Sequence, residues 1–422
     1  MDSNKPKALF RQIFTKSAKT FAVRVVGMVL LFGLHILLGN KLGSEQYGLL
    51  SFALSTTEII AAIASLGLPI ALLRFISQYQ EEEDFRSLKG ALILMPTVAL
   101  LSSLIIAAAI WLLLFFALES QSFSDGLRLT VYLLPVFVLG RIRSSLLQGF
   151  RKPIASILPD EILRPIILGT AVFLLGVNQA SLVVALYILT SVSLAGLFLL
   201  WLYHNAVKAL IRTAADFRIR DWIGTALPMA FGGISYIIMN RTDTVMLGFL
   251  EDMNTVGIYS VANRIAMLSQ FVLGSAAAVV IPHLTSAFHG NRIYEFNFIL
   301  KHTRIRVLLL TLPLVLPMII VPEKLLAIFG QDYVGGATLL QILVFGQLAH
   351  VAAGPVGSAL LMTGQEKTVS IVMLLTALLN IVLNLIFIPR YGAIGAASVT
   401  AFCLFLANAV LVVVLAKSTA HN

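Results

Sequence analysis

Charge is what this chain has least of. Only 12% of its 422 residues are Asp, Glu, Lys or Arg, against 59% hydrophobic, and mean hydropathy is +0.94. A soluble domain carries about a quarter charged residues, so this composition cannot cover a water-facing surface, and the soluble classes are excluded. Cysteine is nearly absent: the single Cys403 permits no disulfide within the chain and reads as a small buried hydrophobe. The seven histidines show no metal-ligand spacing. No Walker motif and no paired acids stand in a polar loop, and the polar connections reach only about twenty residues. ATP hydrolysis and glycosyl transfer are therefore left without a place. The basic N-terminus lacks an early apolar stretch with a small-residue cleavage site, so a retained first span is expected rather than a cleavable signal peptide.

Long apolar runs are what is there. A span needs about 20 residues at 1.5 Å rise each to cross roughly 30 Å of hydrocarbon, and about twelve such runs recur. Their limits are 18–39, 47–73, 91–117, 128–147, 154–176, 180–202, 223–249, 255–281, 303–321, 336–362, 367–388 and 394–416. The pattern predicts an all-α integral membrane protein, multi-pass in the cytoplasmic membrane. Of the 30 Lys and Arg, 22 fall on one side of these spans, including Lys5, Lys7, Arg11, Lys16, Lys19 and Arg212. Only Lys41, Arg128, Lys324 and Arg390 lie opposite, while Arg24, Arg164, Arg241 and Arg264 are inside spans. That bias predicts cytoplasmic N- and C-termini and an even span count. The formal net charge of +10 is then an orientation signal with some attraction to anionic membrane lipids, not a sign of nucleic acid.

Two short segments repeat. Residues 47–53 (YGLLSFA) match 256–262 (VGIYSVA), and residues 146–152 (LLQGFRK) match 361–367 (LMTGQEK). Two matches in the same order at similar offsets predict two six-helix bundles, 1–202 and 223–422, joined by a basic cytoplasmic linker over 203–222. Because six is even, the halves face the same way about an axis along the membrane normal. Two like bundles leave a cavity that can open to either side, which is transporter architecture.

The run LGSEQYGLLSFA at 42–53, followed by Leu66-Gly67-Leu68-Pro69 and Arg74-Phe75, resembles the start of polysaccharide-export flippases. The segments RTDTVMLG at 241–248 and VGIYSVA at 256–262 resemble the start of their second half. These are the Wzx-type O-antigen and capsule flippases of the multidrug/oligosaccharidyl-lipid/polysaccharide (MOP) exporter superfamily. The resemblance implies a MATE-like fold and a carrier, not an enzyme. Its cargo would be an undecaprenyl-diphosphate-linked oligosaccharide, the repeat unit of a surface polysaccharide, moved by alternating access through a cationic cavity. It also implies no cofactor beyond H+ or Na+ coupling, with a polysaccharide polymerase and chain-length machinery as further partners. A lipid II flippase, or a cation-coupled drug or metabolite exporter of the same superfamily, is the alternative.

An Arg at a helix centre costs about 2.5–3.5 kcal/mol, and four cost on the order of 10 kcal/mol, which calls for pairing, topology or function. Arg supplies a planar fork for phosphate oxygens, so Arg24, Arg241 and Arg264 are the candidate diphosphate-binding residues. Arg24 has a second reading, a side chain snorkelling to cytoplasmic headgroups. On the second span Ser51, Ser55, Glu58, Ala62 and Ser65 share a side. On the seventh, Tyr236, Asn240 and Asp243 form a stripe. Glu58 and Asp243 are candidates for ion coupling or for pairing with an Arg, and Asp243 is expected to partner a cavity Arg. Asp160 and Arg164 are spaced as a helix-stabilising i, i+4 pair. Arg141, Arg143, Arg151 and Lys152 lie where an incoming diphosphate first meets the protein and are candidates for steering. Polar stripes at Gln347, His350, Gly354 and at Thr376, Asn380, Asn384 read first as interhelix hydrogen bonding.

Overall fold

The computed structural model describes residues 4–117, 121–208 and 213–420, with side chains except at 4–19, 21, 117, 121–122, 232, 236 and 419–420. Arg212 and the side chains of Tyr236 and of the N-terminal basic residues through Lys19 therefore lie outside what is described. Every regular element among the described residues is helical. Eight helical stretches are long and apolar enough to cross a membrane, nine when the bent helix over 219–250 is counted as one span.

In chain order the elements are α1 (Asn4–Ala64), α2 (Leu68–Glu81), α3 (Phe85–Ala117), α4 (Gln121–Gly149) and α5 (Pro153–Leu158). A π-helical turn (Pro159–Leu163), α6 (Arg164–Leu175), α7 (Ala180–Leu202) and a second π turn (Tyr203–Val207) follow. Next come α8 (Ile219–Leu250), α9 (Met253–Met267), α10 (Gln270–His289), α11 (Ile293–Ile320) and the short α12 (Pro322–Ala327). A 3₁₀ turn (Gln331–Gly336), α13 (Ala337–Ala353), α14 (Val356–Met362) and α15 (Glu366–Ala420) complete the chain.

Several boundaries differ from those expected. The runs 18–39 and 47–73 share α1, bent at Gly43 (φ 69°), and the last two share α15, bent at Gly392 (φ 56°). Both backbones are non-helical in a region that only glycine enters cheaply, so the chain turns without a polar loop. The run 47–73 is interrupted at 65–67, where Leu66 and Gly67 take positive φ and Pro69 opens α2. The run 154–176 widens into the π turn: the Arg164 N–H donates to the Pro159 carbonyl five residues back, and Pro165 brings no donor of its own. Gly354 and Pro355 divide 336–362.

The chain forms two compact units, residues 1–42 with 57–230, and residues 43–56 with 231–422. In the first, a core of Leu72, Ile76, Leu88, Leu134, Leu147 and Trp222 joins α2, α3, α4 and the start of α8. The linker segment after residue 213 is held to the α2–α3 corner. Lys89 Nζ donates to the Thr213 carbonyl (2.7 Å), Asp216 N–H to the Arg86 carbonyl (3.1 Å) and Arg218 to Asp84 (2.8 Å). Asp84 also accepts from the Ser87 N–H at 3.1 Å, which with the Arg218 charge holds its carboxyl below the usual range.

Segment 43–56 packs with the second unit rather than with the 1–202 half expected to contain it. The reason is a pair of glycines. A Cβ on Gly48 would run into the Met253 carbonyl, and one on Gly257 into the Ser44 carbonyl. These contacts are reciprocal, so the two copies of the 47–53/256–262 repeat lie face to face, and Ser44 Oγ donates to Asn254. Near the second repeat a similar turn is made twice, two residues out of register with the 146–152/361–367 match. Lys152 N–H closes on the Leu147 carbonyl after Arg151 (φ 59°), and Gln365 N–H on the Leu360 carbonyl after Gly364 (φ 79°).

Candidate functional site

In the first unit the intramembrane charges are mostly neutralised. Arg143, expected among the steering cations, is turned inward at 2% exposure and bound to Asp160. A buried guanidinium cannot attract a distant anion, so steering is corrected to structural pairing for this residue. Asp160 also receives Arg164 Nη1 at 3.1 Å, in the i, i+4 geometry expected from their spacing. Arg164 in turn donates to the Tyr187 hydroxyl (2.8 Å), its guanidinium 4.6 Å from that ring. Arg141 is half-buried and reaches the Glu58 carbonyl at 3.4 Å, with the Glu58 charge acting on it. Arg151, bound to Glu81 at 2.7 Å, is exposed, and Lys152 stacks over Trp201 at 5.9 Å. Of the expected α1 stripe, Ala62 and Ser65 are buried in this unit, while the buried Ser51 and Ser55 belong to the second. Arg24 is exposed, beside the Glu161 charge but in no ion pair among the described residues.

The second unit holds a different kind of centre. Asp243 on α8 is 3% exposed, and the arginine partner expected for it is absent among the described residues. Its neighbours are neutral instead. Tyr259 from α9 donates to Oδ2 (2.9 Å), Asn384 from α15 donates to Oδ1 (2.7 Å), and the Thr400 hydroxyl donates as well. Asn384 Nδ2 also reaches Asn380 Oδ1 at 3.1 Å, leaving Asn384 Oδ1 buried without a partner. Each donor sits on its helix at a spacing that faces inward: Asn380 and Asn384 are one turn apart. Two helices, α9 and α15 on both sides of its Gly392 bend, thus supply neutral donors to one carboxylate on α8 with no fixed counter-charge. An unpaired ionised carboxylate in low dielectric is costly, and here neutral hydroxyl and amide donors, not a cation, meet its oxygens.

A polar cleft opens beside Asp243, lined also by Asn240, Asn263, Gln347 and Thr400. Gln270 donates to Gln347 (2.6 Å), and His350 pairs with Asn408 (3.0 Å), so the α13 stripe bonds between helices as its composition suggests. Arg264 follows Asn263 on α9. It is half-buried, its Nε has no partner, and it makes no ion pair among the described residues. Arg241 is half-buried and, two residues from Asp243, projects to the other side of α8. Thr400 and Tyr259, which complete the Asp243 cluster, were not singled out from sequence. Their signal was weak: single hydroxyls gain meaning only once the helices that meet Asp243 are known.

A model of the polysaccharide biosynthesis protein family matches residues 7–288, and a MatE model matches residues 228–386. The probable low-salt glycan biosynthesis flippase Agl15 of Haloferax volcanii is 22% identical, covering 94% of this chain and 81% of its own length. Among solved structures, an inward-facing multidrug resistance MATE family transporter of the MOP superfamily superposes with a TM-score of 0.74 at 15% identity, over 95% of this chain and 98% of that one. The lipid II flippase MurJ, inward closed, gives 0.73 at 18% identity, over 96% and 87%. These two likenesses show the fold. With the greater part of its length matched by one family model, this multi-pass membrane protein belongs to the polysaccharide biosynthesis protein family.

Proposed function

We propose that the protein flips a polyprenyl-diphosphate-linked oligosaccharide, the repeat unit of a surface polysaccharide, from the cytoplasmic to the outer leaflet by alternating access. The observation that carries this reading is Arg264, a half-buried guanidinium with no carboxylate to neutralise it among the described residues, next in the chain to Asn263, which lines the cleft beside Asp243. A cation kept unpaired inside a membrane protein binds an anion that comes and goes. Arg241 of the same unit serves that headgroup, Arg24 offers an anion position in the first unit, and Asn240, Asn263 and Gln347 offer donors and acceptors to sugars while the polyprenyl tail stays in lipid. Asp243 is the coupling carboxylate. Loaded with a proton or Na+ it is neutral, unloaded it is a buried anion, and the difference in cost biases the conformations the second unit adopts. The relatedness to Agl15, a glycan flippase by its name, supports this cargo class.

The test is complementation. In a strain lacking its own flippase, the wild-type chain and Arg→Lys variants at 24 and 264 restore surface glycan, the latter partly. Arg24→Ala and Arg264→Ala, inserted at normal abundance, lower it at least tenfold. Undiminished glycan in both alanine variants would overturn the headgroup assignment.

A further inference from the structure

α11 turns one face inward, made by Phe296, Leu300, Thr303, Val307, Thr311, Val315 and Met318. Arg304 stands in that face, four residues after Leu300 and three before Val307, so it points into the second unit and not toward lipid. It is half-buried, its Nε is buried without a hydrogen bond, and among the described residues it forms neither an ion pair nor any hydrogen bond. The stem has a made seat. Gly354, between α13 and α14, adopts φ +74°, and a Cβ there would stand 2.6 Å from Arg304 Cγ. A helix break inside an apolar run and a left-handed glycine thus coincide with the room that one unpaired guanidinium needs. Lys301, exposed one turn nearer the start of α11, adds positive charge of the same sign. A structural arginine at this depth would be expected to hold a carboxylate or a row of carbonyls, as Arg143 and Arg164 do in the first unit. Arg304 holds nothing.

We infer that Arg304 is a second phosphate-binding position in the second unit, distinct from Arg264, and that it takes the diphosphate of the lipid-linked cargo from the cytoplasmic side. This deepens the proposed function and rests on it. The buried stem, seated on Gly354, leaves the planar end of the guanidinium as the part free to bind, and a planar fork fits two phosphate oxygens at once.

The experiment uses the full-length protein in nanodiscs, with undecaprenyl diphosphate, inorganic pyrophosphate and phosphatidylglycerol as separate probes. Arg304→Gln keeps a stem for the Gly354 seat and removes only the charge; Arg304→Lys keeps the charge. The expected result is about tenfold weaker binding of undecaprenyl diphosphate by Arg304→Gln, equivalent to about 1.4 kcal/mol. Pyrophosphate should compete in the wild type but not in that variant, Arg304→Lys should stay within a few-fold of wild type, and phosphatidylglycerol binding should be unchanged. Gly354→Ala, which displaces the stem without touching the charge, should weaken binding in the same direction. Unaltered undecaprenyl diphosphate binding in Arg304→Gln overturns the inference, as does an equal loss for phosphatidylglycerol, which would mark a general headgroup anchor. If Arg264→Ala abolishes export while Arg304→Gln neither weakens binding nor slows export, only this inference fails. If both variants export normally, the headgroup reading fails with it.

Discussion

Asp243 and Arg143 are both nearly inaccessible, yet they are opposite cases. Arg143 has a fixed partner in Asp160, and breaking a buried pair by removing one member costs about 3–5 kcal/mol, because the other charge is left stranded. Asp160→Ala is therefore expected to lower thermal stability in detergent more than Arg164→Ala, since it strands both Arg143 and Arg164, whereas Arg164→Ala leaves the Arg143–Asp160 pair intact. Asp243 has donors but no counter-charge. Asp243→Asn, nearly the same size, should leave the melting temperature close to wild type while lowering export at least tenfold. Asp243→Ala should in addition cost roughly 1–3 kcal/mol for each donor it strands, visible as a lower melting temperature. The stripe placing Asp243 with Asn240 is a property of 3.6-residue periodicity and is readable from sequence. Its partners are not, because they come from α9 and α15, and nothing in one helix says which others it will meet.

At the scale of elements, the apolar runs are legible and their joints much less so. Turns usually announce themselves by polar residues, but Gly43 and Gly392 bend α1 and α15 inside largely apolar sequence, where only the missing Cβ carries the signal. The repeat at 47–53 and 256–262 was visible as similarity. That its two glycines pack on each other's backbone was not, since close approach depends on crossing geometry. Gly48→Ala or Gly257→Ala should overpack that crossing, at a cost of about 1–3 kcal/mol or more, and lower the melting temperature of the purified protein. Gly33→Ala, which meets nothing within 4 Å, is the control. The α2–α3 corner responds to pH. The Asp84 carboxyl sits below its unfolded value because the Ser87 N–H and Arg218 favour the charged form. Its contribution is then fully present above the unfolded value and is lost as pH falls through the lowered one. Amide protection factors over 84–90 and 213–218, taken relative to the intrinsic exchange rate at each pH, should fall on acidification through that window, and Asp84→Asn should remove most of the fall.

For the molecule as a whole, composition and charge asymmetry decide more than any motif. Scarce charge makes this a membrane protein, and the family model and fold likeness agree. The cationic side, with 22 of 30 basic residues, predicts that single cysteines placed at either terminus of a Cys403→Ala background are labelled by impermeant thiol reagents only after the membrane is opened. Whole-chain similarity carries the fold and the family but not the cargo, and the cargo proposed above rests chiefly on Arg264, which makes no ion pair among the described residues. The most direct measurement is therefore translocation itself: purified protein in sealed liposomes, with a polyprenyl-diphosphate oligosaccharide bearing a labelled sugar, scored by protection from an external glycosidase. The wild type should move the sugar across the bilayer, Arg264→Ala should not, and a zwitterionic phospholipid bearing the same label should remain in its leaflet. Equal movement of both lipids, or undiminished movement by Arg264→Ala, would contradict an anion held by unpaired arginines.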